Sequence, residues 1–286
     1  MRIRAHGKIN WSLDILGRRE DGYHLMDMLM QPVSLYDTVD LQKAEASSLA
    51  IPNAAWLSAG EDNLMLKALR AVEKAVGRDL PTAMSLYKVL PSGAGMGGGS
   101  ADAAAVIAGL NRLWQLGLDQ REMEAVGLTV GADVPFCLRG GLCRVTGIGE
   151  EMRSLPYEKH FWLVITQPCR GLSTKAVFEA YAQDNAAPRP LTDRAQAAFE
   201  AGEILPLKTC LRNVLEPVSR SMRPQIGQAV DLLKANGALT ALMTGSGSAV
   251  FGVFLSAPAA RLALGALPFP VKYMAHTCRE SLAFEE

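Results

Sequence analysis

Five glycines crowd into the seven residues from Gly93 to Gly99, within the segment PSGAGMGGGSAD that spans residues 91–102. Glycine adopts backbone conformations closed to other residues and leaves its amides uncovered. An alanine-rich stretch follows at once, and its pattern predicts a helix over about 100–116. A helix N-terminus with free N–H groups and a favourable dipole is an anion site. A nucleotide di- or triphosphate is the natural guest, and Ser100 adds a hydroxyl that can reach a phosphate oxygen or a magnesium ion. The P-loop sequence needs Lys and then Ser or Thr after the last glycine, and Ser100-Ala101 stands there instead. Gly93, Gly95 and Gly98 formally match a dinucleotide fingerprint. No strand–loop–helix–strand unit surrounds them, and no acidic residue ends a strand about 20 residues on.

Around this loop the chain is ordinary. It has 286 residues, 49% of them hydrophobic, enough to bury a core without staples. The 29 basic and 29 acidic side chains cancel, so no basic surplus exists to neutralise a nucleic acid. Five cysteines lack C-x-x-C spacing and predict reduced, mostly buried thiols. The opening MRIRAHGKINW has no continuous apolar run, and no stretch approaches 18 uncharged apolar residues. These features predict a cytoplasmic protein without membrane or nucleic-acid partners, as a monomer or weak homodimer.

Strand patterns occupy 1–16 and about 25–41, the latter broken near Pro32 and 34–37. Helical spacing runs through 64–76, with Asn63 or Asp62 as N-cap and Gly77 as stop. A strand over 82–90 leads into the glycine loop. A second helix covers about 119–128, Pro135 suits a short helix, and 141–146 reads as strand. The polar run 150–159 marks a boundary between halves, 1–155 and 156–286. The second half reads as strand 161–166, a helix to 182, helices at 193–201, 208–216 and 221–235, a hairpin across 238–255, helix 257–267 and a last strand 271–275. Hairpins without a βαβ rhythm predict an α+β fold of two halves with a cleft, not a doubly wound sheet.

Phosphoryl transfer needs positive charge on the moving group and a means to position the acceptor hydroxyl. Lys8 sits in an apolar strand, where it either snorkels to the surface or serves a site. Asp133 sits in Gly131–Pro135, where it caps the short helix or serves the same site.

Six short motifs occur in order along the chain: GKIN at 7–10, DGYH at 21–24, EDNL at 61–64, the glycine loop, GADVP at 131–135 and TGSG at 244–247. Together they resemble the family of small-molecule kinases that includes galactokinase, homoserine kinase and mevalonate kinase. The resemblance runs from end to end. DGYH points to members that phosphorylate the 2-hydroxyl of a cytidine-diphospho sugar alcohol in non-mevalonate isoprenoid synthesis. The alternatives are a family kinase for another small alcohol and an inactive nucleotide-binding relative.

The resemblance implies ATP and Mg²⁺ as cofactors and makes Lys8 and Asp133 the catalytic pair. ATP would lie on Asn63, Lys88, Pro91, Gly93, Gly95, Met96, Gly97, Gly98, Gly99 and Ser100, with Ser100 touching the magnesium ion. Asn10 would hold the acceptor end of the substrate. Tyr23, His24 and Phe178 would receive the cytosine, and Thr174 would line the substrate side. The Gly245–Gly247 turn reads equally as a phosphate contact or as a plain hairpin turn. Departures are His6-Gly7 before the lysine, Met96 for leucine, Ala101 for a second serine, and Val214 where an acid is usual.

Overall fold

The computed structural model describes the chain except residues 21, 23, 158, 184–188 and 286, with the side chains at 182 and 183 also outside the description. The first sheet contains β1 (Arg2–Arg18), β2 (His24–Lys43), β3 (Ser48–Ala50), β4 (Thr82–Tyr87), β5 (Leu142–Gly147) and β6 (Glu151–Leu155). The helices on this side are α1 (Leu64–Val76), α2 (Gly98–Leu113), α3 (Gln120–Val130) and the short α4 (Val134–Arg139). After β7 (Trp162–Thr166) come α5 (Thr174–Gln183), α6 (Thr192–Glu200), α7 (Leu207–Cys210), α8 (Glu216–Met222) and α9 (Pro224–Ala235). The chain closes with β8 (Thr240–Met243), β9 (Val250–Phe254), α10 (Ala257–Ala266), β10 (Lys272–His276) and β11 (Leu282–Glu285).

Two sheets result. The first runs β11-β1-β2-β4-β3, with β5 and β6 branching from β2; the second runs β10-β7-β9-β8. All pairings are antiparallel except β3 with β4. The α+β class therefore stands as the patterns predict. Where Pro32 and residues 34–37 suggest a break, β2 is continuous. The irregularity is taken up as register shifts against β1, at His6/Lys8 and Asn10/Ser12 among others. Within the polar run 150–159 lies β6, which pairs with β5. The strand at 271–275 is followed by β11, which returns to pair with β1, so residues 282–285 belong to the first sheet.

The helix expected over 208–216 is two short helices with an extended link at 211–215. That link is drawn into the first half by backbone bonds, Leu13 N–H to Arg212 O and Val214 N–H to Leu13 O. Tertiary pairing overrides local propensity here. Helix α1 forms as its signals predict: Asn63 Oδ1 accepts from Met65 N at 2.9 Å, and Gly77 ends it in the left-handed conformation.

One core lies between the first sheet and α1–α3 and continues into the second half, where Val164, Ile226, Val230, Leu233 and Ala263 belong to it. Another knits the halves together around Trp11, which is fully buried and meets Phe161, Phe199 and Phe251 edge-on at 5.2–5.8 Å. Among the described residues no helix is long and apolar enough to cross a membrane.

Candidate active site

The glycine loop lies at the junction of the two sheets, and its backbone is divided by function. Its carbonyls face the scaffold. Ser92 O accepts from Gln167 Nε2, Ala94 O from Ala249 N, Gly95 O from Thr244 Oγ1 and Met96 O from Lys8 N, all at 2.9–3.2 Å. Among the described residues no backbone N–H from Gly93 to Ser100 donates to the protein. With the carbonyls spoken for, the amides are left for an anion, which is the chemistry of a phosphate cradle.

Glycine is required where this cradle touches its supports. At Gly95, with φ at +75°, a Cβ would run into the Thr244 carbonyl oxygen and come 3.2 Å from Gly247 N. At Gly97, with φ at +68°, it would stand 3.1 Å from the Lys8 stem. The loop thus lies flat against Lys8 on one side and against the 244–247 turn on the other.

Lys8 and Asp133 meet beneath the loop. Lys8 Nζ is 3.4 Å from Asp133 Oδ2 and donates to Asn10 Oδ1 at 2.8 Å. Lys8 is buried and does not snorkel. Asp133 occupies the N-cap position of α4 but makes no side-chain capping bond, so its carboxylate is left for the site. The Lys8 side chain is 5% exposed and that of Asp133 34%: the cation is fixed from behind while the carboxylate faces the cleft.

A cavity of about 670 Å³ joins these groups. It is lined by the loop, Ser100, Asp133 and Asn10, by Asn63 at one end and by Thr174 and Phe178 at the other. That volume lies in the ordinary range for a small-molecule site. The Asn63 side chain is largely committed, capping α1 and donating to Ser58 O at 2.6 Å. Lys88 also lines the cavity, but its ammonium is held between Asp37 Oδ2 at 2.5 Å and Asp102 Oδ2 at 2.7 Å. Lys88 thus braces the loop from behind, and its charge is not free for a phosphate. Burial, reinforced by the nearby Asp37 charge, pushes the Asp102 carboxyl up to about 7 despite Lys88.

At the far end, the His24 and Phe178 rings lie 4.8 Å apart, tilted by 37°. Partial burial, with the Arg18 charge, lowers the His24 pKa, so its imidazole is neutral near pH 7. A neutral imidazole both donates and accepts hydrogen bonds. Thr174 Oγ1 lies 3.0 Å from Ser246 Oγ. Tyr23 lies outside the described residues, as does Asp21 of the same motif.

The departures from the motifs have structural explanations. Ala101 and Val214 are buried core residues. Met96 is equally buried. His6 is anchored by Nδ1 to Val33 O at 2.9 Å.

Several site residues escape sequence reasoning. Asn213 holds the 243–245 segment through Nδ2 bonds to Met243 O and Gly245 O, at 2.9 and 2.7 Å. Asp37 and Asp102 brace the loop through Lys88. For Asp37 the only sequence signal is a charge among apolar neighbours, whereas Thr244, which bonds β1 and the loop, lies in the 244–247 motif.

For a divalent cation, the donor set is thin. Among the described residues no group of three or more His, Cys, Asp or Glu can hold a metal ion. Ser100 in the first turn of α2 and the Asp133 carboxylate are oxygen donors facing the same cavity, which fits an ion carried mainly by phosphate oxygens.

Residues 63–141 match the family model "GHMP kinases N terminal domain", and residues 195–271 match "GHMP kinases C terminal". A 4-diphosphocytidyl-2-C-methyl-D-erythritol kinase of Caldicellulosiruptor saccharolyticus is 39% identical over 255 residues, 89% of this chain and 88% of its own. The protein of that name from Acetivibrio thermocellus is 37% identical over 252 residues, 88% of this chain and 89% of its own. A crystal structure of 4-(cytidine 5′-diphospho)-2C-methyl-D-erythritol kinase superposes with a TM-score of 0.82 at 30% identity, covering 97% of this chain and 99% of that one. A homoserine kinase from Cytophaga hutchinsonii shares the fold, with a TM-score of 0.80 at 16% identity and coverage of 99% of this chain and 96% of its own.

Proposed function

The chain belongs to the GHMP kinase family, and on that premise we propose that it transfers the γ-phosphoryl group of ATP to the 2-hydroxyl of 4-(cytidine 5′-diphospho)-2-C-methyl-D-erythritol. The observation that carries this reading is the Lys8–Asp133 pair facing the cleft directly below a loop of free amides.

The substrate oxygen attacks the γ-phosphorus as the bond to the β-phosphate oxygen breaks, and ADP leaves. The hydroxyl proton passes to the Asp133 carboxylate, which faces the cleft. Its carboxylate orients that hydroxyl by accepting its hydrogen bond, and positioning of this kind supplies much of the catalysis in phosphoryl transfer. Lys8, buried and fixed by Asn10, presents a preorganised positive charge to the transferring group. Free loop amides neutralise the polyphosphate without a basic surface, in keeping with a net charge of zero. Mg²⁺ supplies further neutralisation when bound to ATP, with Ser100 as the protein oxygen beside it.

Asn10 holds the acceptor end of the substrate. Tyr23, His24 and Phe178 receive the cytosine, with the neutral His24 able to pair both donor and acceptor at the base edge. Asn63, Pro91 and the loop residues Gly93, Gly95, Met96, Gly97, Gly98 and Gly99 surround ATP. We place the enzyme in the cytoplasm, where five free cysteines stay reduced.

The test is ATP turnover with the cytidine substrate, alongside mevalonate and homoserine, for wild type and Asp133→Asn. Turnover should be confined to the cytidine compound, and Asp133→Asn should nearly abolish it while ATP binding persists. A fully active Asp133→Asn enzyme removes Asp133 from its role. Wild-type turnover of another alcohol alone removes the substrate assignment.

A further inference from the structure

One hydroxyl in the second half of the chain touches both working parts of the site. Thr244, just beyond β8, is fully buried. Its Oγ1 accepts the Asn10 N–H at 3.1 Å. That amide lies where β1 shifts register against β2, between Asn10 and Ser12, so the hydroxyl replaces a ladder partner. The hydroxyl proton points to Gly95 O at 3.2 Å or Asn10 Oδ1 at 3.3 Å. Asn10 Oδ1 in turn accepts from Lys8 Nζ at 2.8 Å, and Lys8 Nζ faces Asp133 Oδ2 at 3.4 Å. A chain of polar contacts therefore runs from Thr244 through Asn10 and Lys8 to Asp133.

The surroundings rule out slack in that chain. Asn10 is fully buried, and its Nδ2 points to Met28 Sδ at 3.4 Å, which leaves Oδ1 facing Lys8. Thr244 is itself held from behind: Thr244 N donates to Ala249 O at 3.0 Å, and Asn213 grips the carbonyls on either side, Met243 O and Gly245 O. A buried polar network with each member partnered is rigid, and deleting one member leaves the others unsatisfied.

We propose that Thr244 is a positioning residue for phosphoryl transfer: through its bond to Asn10 it fixes the Lys8 ammonium relative to Asp133 and registers that pair against the glycine loop. This rests on the functional reading above and adds to it a residue that contacts neither nucleotide nor acceptor. The effect belongs to the transition state, because Lys8 acts on charge that moves during transfer. Thr244 should therefore be felt in kcat and hardly in either KM.

Thr244→Val keeps the β-branched shape and removes the hydroxyl. Misplacement of catalytic groups by an ångström costs up to about a hundredfold. The expected result is a kcat lowered about 10- to 100-fold, with both KM values within about threefold of wild type. Thr244→Ser should restore most of the loss, since it returns the hydroxyl without the methyl group. If Thr244→Val does not fold, Thr244→Ser and Thr244→Cys replace it, and serine should exceed cysteine, the weaker hydrogen-bonding group, in kcat. Unchanged kcat in Thr244→Val overturns the proposal. A raised ATP KM at constant kcat overturns it too, leaving a support for the loop alone, and so does failure of serine to rescue. Wild type runs in the same assay on the cytidine substrate. An inactive wild type there sinks the functional reading instead, and the Thr244 comparison then moves to whichever alcohol the wild type does phosphorylate.

Discussion

Gly95→Ala is the sharpest perturbation that the loop offers, because two separate costs meet at one residue. The first is conformational: φ is +75°, in the left-handed region that non-glycine residues enter at a cost of about 1–2 kcal/mol. The second is contact. The new Cβ would overlap the Thr244 carbonyl oxygen and press on Thr244 C at 3.0 Å and Gly247 N at 3.2 Å. All three are backbone atoms, which cannot rotate aside, and overpacking of this kind costs about 1–3 kcal/mol. The two costs together come to roughly 2–5 kcal/mol.

Two other glycines separate these terms. Gly77 has φ at +68° and nothing within 4 Å of a Cβ, so Gly77→Ala carries the conformational cost alone. At Gly171 φ is not in the left-handed region, and its Cβ would meet Gly93 O at 2.6 Å and Gly93 Cα at 3.0 Å, so Gly171→Ala carries contact alone. Thermal unfolding of the three variants, at about 2–4 °C per kcal/mol, should place Gly95→Ala lowest, roughly 4–20 °C below wild type. Calorimetric titration with ATP gives the second readout. Gly95→Ala should bind at least about tenfold more weakly, because the amides move with the backbone, whereas Gly77→Ala binds normally. If Gly95→Ala and Gly77→Ala lose the same stability and both keep full ATP affinity, the loop is not held by backbone contact with the second half.

Two further outcomes can be checked. Phe178→Ala should raise KM for the cytidine substrate from about fivefold to over a hundredfold, the equivalent of one base stack, and leave the ATP KM unchanged; an unchanged substrate KM would return Phe178 to ordinary packing. Asp102 has its folded pKa raised to about 7 from an ordinary value of 3.8. Between those values the folded chain holds a proton that the unfolded chain has lost, so stability falls as pH rises from about 4 to about 7 and levels off above. Asp102→Asn should flatten that part of a denaturant-midpoint profile against pH, and an equally steep profile in the variant would move the proton elsewhere.

What could be read from the sequence was whatever is encoded locally. The loop declared itself through glycine, whose conformational freedom needs no partner. Helix α1 could be placed to within a residue, with Asn63 or Asp62 as its start, because Asn63 and Gly77 terminate it with their own side chain and backbone. Lys8 and Asp133 stood out as charges in apolar runs, each with a plain structural alternative: the buried lysine removes snorkelling for one, and the missing bond removes side-chain capping for the other. Long-range satisfaction was invisible. Nothing near Asn213 shows that its amide must serve two carbonyls some 30 residues later, nor that Arg212 and Val214 pair with Leu13 and so interrupt the helix expected over 208–216. Lys88 was placed beside ATP by resemblance, and nothing local shows that its ammonium is taken by Asp102 and by Asp37, 51 residues away on β2. Strand β11 was missed for the same reason, since a four-residue edge strand is defined by its neighbour β1 and not by its own pattern.

The pairing of β11 with β1 has a consequence for how the chain is made. Arg2 sits opposite Glu285, so this edge of β1 stays uncovered until residues 282–285 have been made. At 5–20 residues per second on the ribosome that delay is on the order of 15–60 s. The glycine loop waits roughly half as long, because its carbonyl partners Gln167, Thr244 and Ala249 are all translated well after it. A nascent chain that stops short of the β8–β9 hairpin would carry the whole loop sequence and still lack the support that frees its amides. Nucleotide therefore cannot act as a template early in translation. Its grip on the protein begins only when the second half has docked and the 244–249 segment holds the loop carbonyls.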